Sequence, residues 1–472
     1  MKNIHFIGIC GAGMAGIAVM LQNAGYNVTG SDEGFYDPVA SYLKKNNFNL
    51  EPGYRPENIP DNTDVIVIGK HAKLIPEENP EVAYAFQLQN ENRVRILSFP
   101  ELLQELTLDR NRIVVAGSYG KSTVTALLAW CLSVAQKNPG YFIGAQVYGM
   151  QDPCVLGTGP FVFEGDEYPS ANWDNRSKFE FYNPHHVLLT SGEHDHVNVF
   201  PTHKSFLERF EVLLKKIPAD GICIGCIEND SVEKLLSFAP NTITYGVDRG
   251  TWHAKNIVWG EETSFDVYKD ETFIITATTT LLGKHNVQNC IGTIALVIET
   301  NLLTAVEVTA GIKTFKGVKR RLDRIDTKGI IPIYEGFGSS YAKARSAIEA
   351  IALHYPTKKI YCVFEPHTFS WRDPAMSFWY NDVFNSVTNV AIVTPPASHG
   401  KDTAGQLSAQ DILDHIGSPV ASKERFDEKE MAFKAILSTI KDCENDYCIL
   451  ILTSGEALQL GPALVQWSEN NN

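Results

Sequence analysis

No uninterrupted apolar run in this chain approaches the ~18 residues that a membrane-spanning helix needs, so no membrane partner is expected. The N-terminus lacks a charged segment followed by an apolar core and opens on a strand pattern, residues 4–9, so no secretory leader is expected. Positive charge is in deficit: 41 Lys and Arg stand against 55 Asp and Glu, a formal charge of −14 that disfavours nucleic acid as a bulk partner. The nine cysteines are an odd number without the four-ligand spacing of a zinc site, as expected of reduced thiols in the cytoplasm. Internal repeats are missing too. What is present is 44% hydrophobic residues in 472, too many for one core, and several domains follow.

The stretch that organises the rest is Val114-Val115-Ala116-Gly117-Ser118-Tyr119-Gly120-Lys121-Ser122-Thr123. Apolar β-formers run into a glycine turn, and Lys-Ser-Thr then opens an apolar helical stretch, 124–134. A strand feeding a glycine loop that opens a helix points backbone N–H groups and the positive end of the helix dipole at one spot. Lys121 adds a point charge for outer phosphates, and Ser122 or Thr123 offers a hydroxyl to Mg²⁺. Only Ser118 and Tyr119 separate the two glycines, where the usual phosphate loop has four residues.

Upstream, a strand at 4–9 enters Gly11-Ala12-Gly13-Met14-Ala15-Gly16, a full GxGxxG turn, and Asp32 follows the next strand. The pattern suits a dinucleotide or any pyrophosphate. Alternating strands and helices predict a doubly wound α/β sheet, with a first boundary at 108–111. Downstream of the phosphate loop two strands end in polar clusters, Glu164-Gly165-Asp166-Glu167 and Gly192-Glu193-His194-Asp195-His196. Carboxylate and imidazole at the carboxyl ends of parallel strands suit Mg²⁺ beside phosphates. Gly283-Lys284-His285-Asn286-Val287-Gln288-Asn289 opens a further helix, and Lys319-Arg320-Arg321 is a local basic site. From 328 the alternation returns, predicting a second doubly wound domain with strands at 330–334, 359–364, 390–394 and 448–453.

Together these motifs resemble the Mur ligases, the ATP-dependent enzymes that build the peptidoglycan peptide, over nearly the whole chain. Residues 8–14 look like that family's N-terminal turn, which holds a UDP-sugar and not a nicotinamide dinucleotide. Residues 117–123 match its shortened phosphate loop, 164–167 and Asp195-His196 its magnesium motifs, and 283–289 its G-x-H-N-x-x-N nucleotide motif. The resemblance implies three domains: a UDP-sugar-binding Rossmann-like domain at 1–108, a central ATP-binding domain with a mixed sheet at 109–325, and a Rossmann-like acceptor domain at 326–472. It implies ATP contacts from Gly117 to Thr123 and from His285, Asn286, Asn289 and Glu335, with metal on Ser122, Glu164 and His196. Lys121, Glu164, His196, Arg320 and Arg321 become the catalytic set. Gly11, Ala12, Gly13, Met14, Asp32, Arg176 and Lys178 become the UDP-sugar contacts, and His367 and Arg372 the acceptor contacts.

One segment favours a branch. Asp174-Asn175-Arg176-Ser177-Lys178-Phe179 is similar to the branch that attaches a recovered murein tripeptide to UDP-N-acetylmuramate; the alanine-adding branch is the alternative. An oxidoreductase built on GxGxxG and a degenerate, non-catalytic homologue are the rivals outside it. The family's Asp-Asp-aromatic-Ala-His-(His/Asn)-Pro signature falls on Glu335-Gly336-Phe337-Gly338-Ser339-Ser340-Tyr341, where most of its polar groups are gone. The two glycines there predict a looser turn. The implied chemistry is transfer of the ATP γ-phosphoryl to a carboxylate, giving an acyl phosphate that an amine then attacks. A monomer or homodimer in the cytoplasm is expected.

Overall fold

The computed structural model describes the whole chain apart from residues 1, 51, 196–198, 327–328, 396–404, 418, 442, 456 and 472, and describes only the backbone of Ala12. Its strands form sheets of four, ten and six. Two compact units result, one of Met1–Asn256, Phe265–Thr279 and Val287–Lys316, the other of Ile257–Ser264, Thr280–Asn286 and Gly317–Asn472.

The first unit begins with a parallel sheet in the order Asn27–Ser31, Asn3–Ile7, Val65–Ile68, Arg95–Leu97. Val65–Ile68 is buried at all four positions, so its run is continuously apolar and does not alternate, as a sheet covered on both faces requires. The strand Arg95–Leu97 ends where it does because Ser98 is already a helix cap. Glu101 accepts from the Ser98 N–H (2.8 Å) and hydroxyl (2.7 Å), a capping box that starts helix Phe99–Leu106.

The larger sheet has a parallel core in which Arg112–Ala116 lies between His186–Leu189 and Phe161–Glu164. All five residues of Arg112–Ala116 are buried. Its carboxyl end leads into the phosphate loop, and Glu164 ends the adjacent strand. At the opposite, amino-terminal end of these strands lies a polar cleft of about 380 Å³, lined by Asp109, Arg110, Asn111, His185, His186 and Asp220 among others. It is far along the strands from the phosphate loop and shares none of its residues.

Burial, and then the charge of His185, push His186 down to about 4, against the pull of Asp220. His186 is therefore neutral in the fold and takes up a proton on unfolding between its folded value of about 4 and its ordinary value of 6.5. Stability should be full above that value and fall as pH drops toward 4, because the unfolded chain binds the extra proton. His185 is lowered for the same leading reason. Urea midpoints at pH 7 and pH 5 should differ less in His186→Gln than in the parent; an unchanged difference would remove His186 from the acid response.

Cys223 and Cys226 stand three apart in strand Ile222–Cys226, whose alternation sends them to opposite faces. Burial raises both thiols to about 12, and all nine cysteines are free. This spacing therefore carries no redox pair.

The second unit holds the six-stranded sheet, ordered Arg321–Arg324, Ile333–Gly336, Tyr447–Leu452, Lys359–Phe364, Asn389–Val393, Ser422–Phe426. The first pair is antiparallel and the others parallel. The strand expected at 330–334 lies at Ile333–Gly336. Asp326 fixes the start by accepting from the Ile333 N–H at 2.6 Å.

Candidate active site

Gly117 has φ +135°, and a Cβ there would stand 2.3 Å from Thr190 Oγ1 and 2.8 Å from Ser191 N. The loop can therefore turn only where no side chain intervenes. Residues at the end of the neighbouring strand pin it: the Tyr119 N–H donates to Ser191 Oγ at 2.8 Å, and the Ser118 hydroxyl donates to the Glu193 carbonyl. Gly120, at φ +84°, precedes helix Lys121–Val134, whose first turn has no side-chain cap. Its N–H groups remain available to an anion. A Cβ on Gly120 would lie 3.0 Å from Asn289 Oδ1, so this residue of the 283–289 motif adjoins the loop.

Lys121 bends back over the loop. Its Nζ donates to the Gly117 carbonyl at 2.5 Å and pairs at 3.1 Å with Glu167, which is fully buried. Ser122 Oγ donates to Glu164 Oε1 at 2.6 Å, and the Gly144 N–H donates to Glu164 Oε2 at 2.7 Å. Thr123 is half-buried one residue further on. Asp166 pairs with Lys178 at 2.6 Å. Burial works against the Asp166 charge, but Lys178 outweighs it and holds the carboxyl below its ordinary range. Burial, Asp195 and Glu193 push the Tyr119 hydroxyl up to about 12, so the 193–195 segment lies beside the loop. His196, the expected imidazole ligand, lies outside the described residues.

In the N-terminal turn, Gly11 precedes helix Ala12–Asn23, Gly13 lies 3.3 Å (as a Cβ) from Phe142 Cζ, and Met14 is buried. Asp32 accepts from the Cys10 N–H at 2.8 Å and the Tyr54 hydroxyl at 3.3 Å, bracing the turn. Arg176 is turned onto Asp174 (2.6 Å) and over the Phe181 ring (4.4 Å).

The remaining expected residues belong to the second unit. His285 meets Ser346 Oγ at 3.2 Å, and Asn286 Nδ2 donates to the Leu282 carbonyl at 2.8 Å. Arg320 pairs with Glu335 at 3.1 Å and donates to the Gly455 carbonyl at 2.7 Å, while Arg321 is exposed at the start of its strand. Burial raises Glu335 above its ordinary range in spite of Arg320. His367 is exposed; Arg372 is half-buried and donates to the His367 carbonyl at 3.3 Å, with no partner at its buried Nε among the described residues.

The looser turn expected at 335–341 is not what the structure holds. Gly336 is a buried strand residue, and neither it nor Gly338 has positive φ. Trp371 Nε1 donates to the Gly338 carbonyl at 2.7 Å, and Thr368 Oγ1 donates to the Ser339 carbonyl at 2.9 Å. Thr368 and Trp371, at the start of and within the short helix Phe369–Arg372, thus hold the segment in place. A Cβ on Gly336 would stand 3.2 Å from Leu452 Cδ2, so a carboxylate restored there would be buried against leucine.

A model of the Mur ligase family catalytic domain matches residues 3–111, and one of the Mur ligase middle domain matches 115–297. The UDP-N-acetylmuramate–L-alanyl-γ-D-glutamyl-meso-2,6-diaminoheptandioate ligase of Haemophilus influenzae is 30% identical over 342 residues, 71% of this chain and 73% of that one. The chain belongs to the Mur ligase family. It is thus an ATP-dependent ligase forming a C–N amide bond. The UDP-N-acetylmuramate–L-alanine ligase of Clostridium acetobutylicum is 28% identical over 466 residues, 98% of this chain and 96% of its own. The crystal structure of the UDP-N-acetylmuramate–alanine ligase of Thermotoga maritima shares the three-domain fold, with TM-score 0.76 over 100% of both chains at 20% identity.

One residue of this Mur ligase's site escaped the sequence. Glu167 belongs to the acidic motif and Thr190 and Ser191 to the polar stretch that follows the 187–189 strand, but Gly144 carries no pattern that marks it. The Ser122 hydroxyl and Glu164 carboxylate fit a divalent cation: both are hard oxygen donors, held together at the mouth of the loop. Among the described residues no group of three His, Cys, Asp or Glu is arranged to hold a metal. Magnesium needs no such cage, since it keeps one or two protein ligands beside phosphate oxygens and water.

Proposed function

We propose that this Mur ligase joins the carboxylate of UDP-N-acetylmuramate to the amine of L-alanine, in the cytoplasm. The observation that carries the choice of amine is length. The alanine-adding relative from Clostridium acetobutylicum aligns with 98% of this chain, including the C-terminal region that neither family model reaches. The murein tripeptide remains a second reading, favoured by the 30% identity of the Haemophilus influenzae ligase and by Asp174 to Phe179. Arg176 weakens it, because its guanidinium is already turned onto Asp174.

In this reading residues 1–108, 109–325 and 326–472 are three domains for the UDP-sugar, ATP and the amine. Gly11, Ala12, Gly13, Met14 and Asp32 form the sugar-nucleotide turn. ATP lies on Gly117–Thr123, with His285, Asn286, Asn289 and Glu335 as further contacts. Ser122, Glu164 and His196 would hold Mg²⁺, which when bound screens the charge of the phosphates. Lys121 reaches the outer phosphates from its position over the loop carbonyls, and Arg320 or Arg321 adds positive charge at the γ-phosphate. The donor carboxylate oxygen attacks the γ-phosphorus and ADP leaves; the amine nitrogen then attacks the acyl carbon, the C–O bond to phosphate breaks, and inorganic phosphate and the amine's proton depart as the amide forms. Arg372, whose buried Nε has no partner among the described residues, suits the carboxylate of the incoming amino acid, and His367 lies beside it.

Comparison of kcat/KM for L-alanine and for the murein tripeptide L-alanyl-γ-D-glutamyl-diaminopimelate tests this choice. A preference for L-alanine is expected. A clear preference for the tripeptide would overturn it and restore the recycling branch.

A further inference from the structure

The carboxyl end of strand Tyr447–Leu452 runs into a turn with an uncommon backbone. Ala457, Leu458 and Gln459 have φ of +43°, +55° and +53°, three consecutive residues in the left-handed region with no glycine among them. Each side chain there crowds its own backbone, so such a turn persists only where its surroundings hold it. Helix Leu460–Asn470 follows directly.

One buried carboxyl supplies the hold. Glu365 follows strand Lys359–Phe364 and is 2% exposed. Its Oε2 accepts from the Thr453 hydroxyl and from the Ala457 N–H at 3.2 Å, bracketing the entry to the turn. Between these two, the Gly455 N–H donates to Thr453 Oγ1 at 2.8 Å. A Cβ on Gly455 would stand 2.5 Å from Glu365 Oε2 and 3.0 Å from Oε1. The backbone therefore closes over the carboxyl only because no side chain intervenes. Burying a carboxyl is costly unless its oxygens are bonded, and the bonds these oxygens accept among the described residues come from this turn.

The turn in its own right holds Arg320. Arg320 Nη2 donates to the Gly455 carbonyl at 2.7 Å, while Nε lies 3.1 Å from Glu335 Oε1. Arg320 and Leu322 also have positive φ, +61° and +62°. Two left-handed segments are thus joined through one arginine side chain, and a planar guanidinium met at two of its nitrogens has a set direction.

We propose that Glu365 is a positioning residue for phosphoryl transfer: through Thr453, Ala457 and the Gly455 carbonyl it sets the direction of the Arg320 guanidinium. The proposal rests on the γ-phosphate role given to Arg320 above. A cation already aimed at the transferring group needs no reorganisation when charge shifts in the transition state. Loss of Glu365 should therefore act on kcat more than on KM for ATP.

Steady-state kinetics of the full chain, with ATP varied against saturating UDP-N-acetylmuramate and the preferred amine, test this. Glu365→Leu should lower kcat roughly tenfold or more and change KM for ATP less than about threefold. Glu365→Gln, whose carbonyl oxygen can accept the same two bonds, should keep kcat within about threefold of the parent's. A double-mutant cycle with Arg320→Met separates positioning from support of the fold: adding Glu365→Leu to Arg320→Met should lower kcat no further. An equal further fall in that background, or a parent-like kcat in Glu365→Leu, overturns the positioning role. Thr453→Val removes one of the two bonds and carries the same cycle should Glu365→Leu not fold. A parent-like kcat in Arg320→Met overturns the γ-phosphate role of Arg320 and the positioning role with it.

Discussion

Lys121→Met should lower the ATP turnover of this ligase by at least ~10²-fold, the scale of one lost transition-state contact. The amine lies over the loop carbonyls where the outer phosphates would be met, and no other described lysine shares that position. The substitution has a second effect, because Glu167 is fully buried and loses its ion-pair partner. Breaking such a pair from one side costs about 3–5 kcal/mol, since a charge is left in a poor solvent. The two effects come apart in Lys121→Met/Glu167→Gln. That double variant should regain most of the stability and none of the turnover. Recovery of turnover together with stability would mean that Lys121 serves the fold and not the nucleotide.

The second large effect is expected at Gly117. Alanine there would place a methyl 2.3 Å from Thr190 Oγ1 and within 3 Å of the Ser191 backbone. It would do so at φ +135°, where side chains are disfavoured. Overpacking and backbone strain together should cost at least ~2 kcal/mol. Relief requires the loop to move off the strand end that pins it, so ATP affinity should fall with stability. Gly25→Ala is the control: it also has positive φ, +88°, but nothing stands within 4 Å of its Cβ position. It should cost only the backbone strain and leave ATP affinity unchanged. Equal loss of ATP affinity in both variants would show that the Gly117 cradle is not specific to the nucleotide.

How far the sequence could be read varied with the kind of contact. Gly117, Gly120, Lys121 and Ser122 were legible because a phosphate loop needs those residue types at adjacent positions. Glu164 was legible because an acidic residue ending an apolar strand has few structural reasons to be there. Contacts between segments distant in sequence were not legible. Asn172 reaches His71 and Leu74 across about a hundred residues. The turn after Glu335 was misread for a related reason. Its glycines suggest freedom, whereas the order comes from Trp371 and Thr368, a residue of the helix Phe369–Arg372 and its N-cap. The strand start at Ile333 depended likewise on Asp326, which no periodicity reveals.

The central claim is that this chain remains a working ligase although the signature at 335–341 has changed. The direct measurement is ADP release by the purified full chain with ATP and Mg²⁺, with UDP-N-acetylmuramate and L-alanine supplied singly and together, and the product weighed by mass spectrometry. The account predicts ADP release only when both substrates are present, in a one-to-one ratio with UDP-N-acetylmuramoyl-L-alanine. ADP release indifferent to UDP-N-acetylmuramate, or none with either L-alanine or the murein tripeptide as the amine, would contradict it.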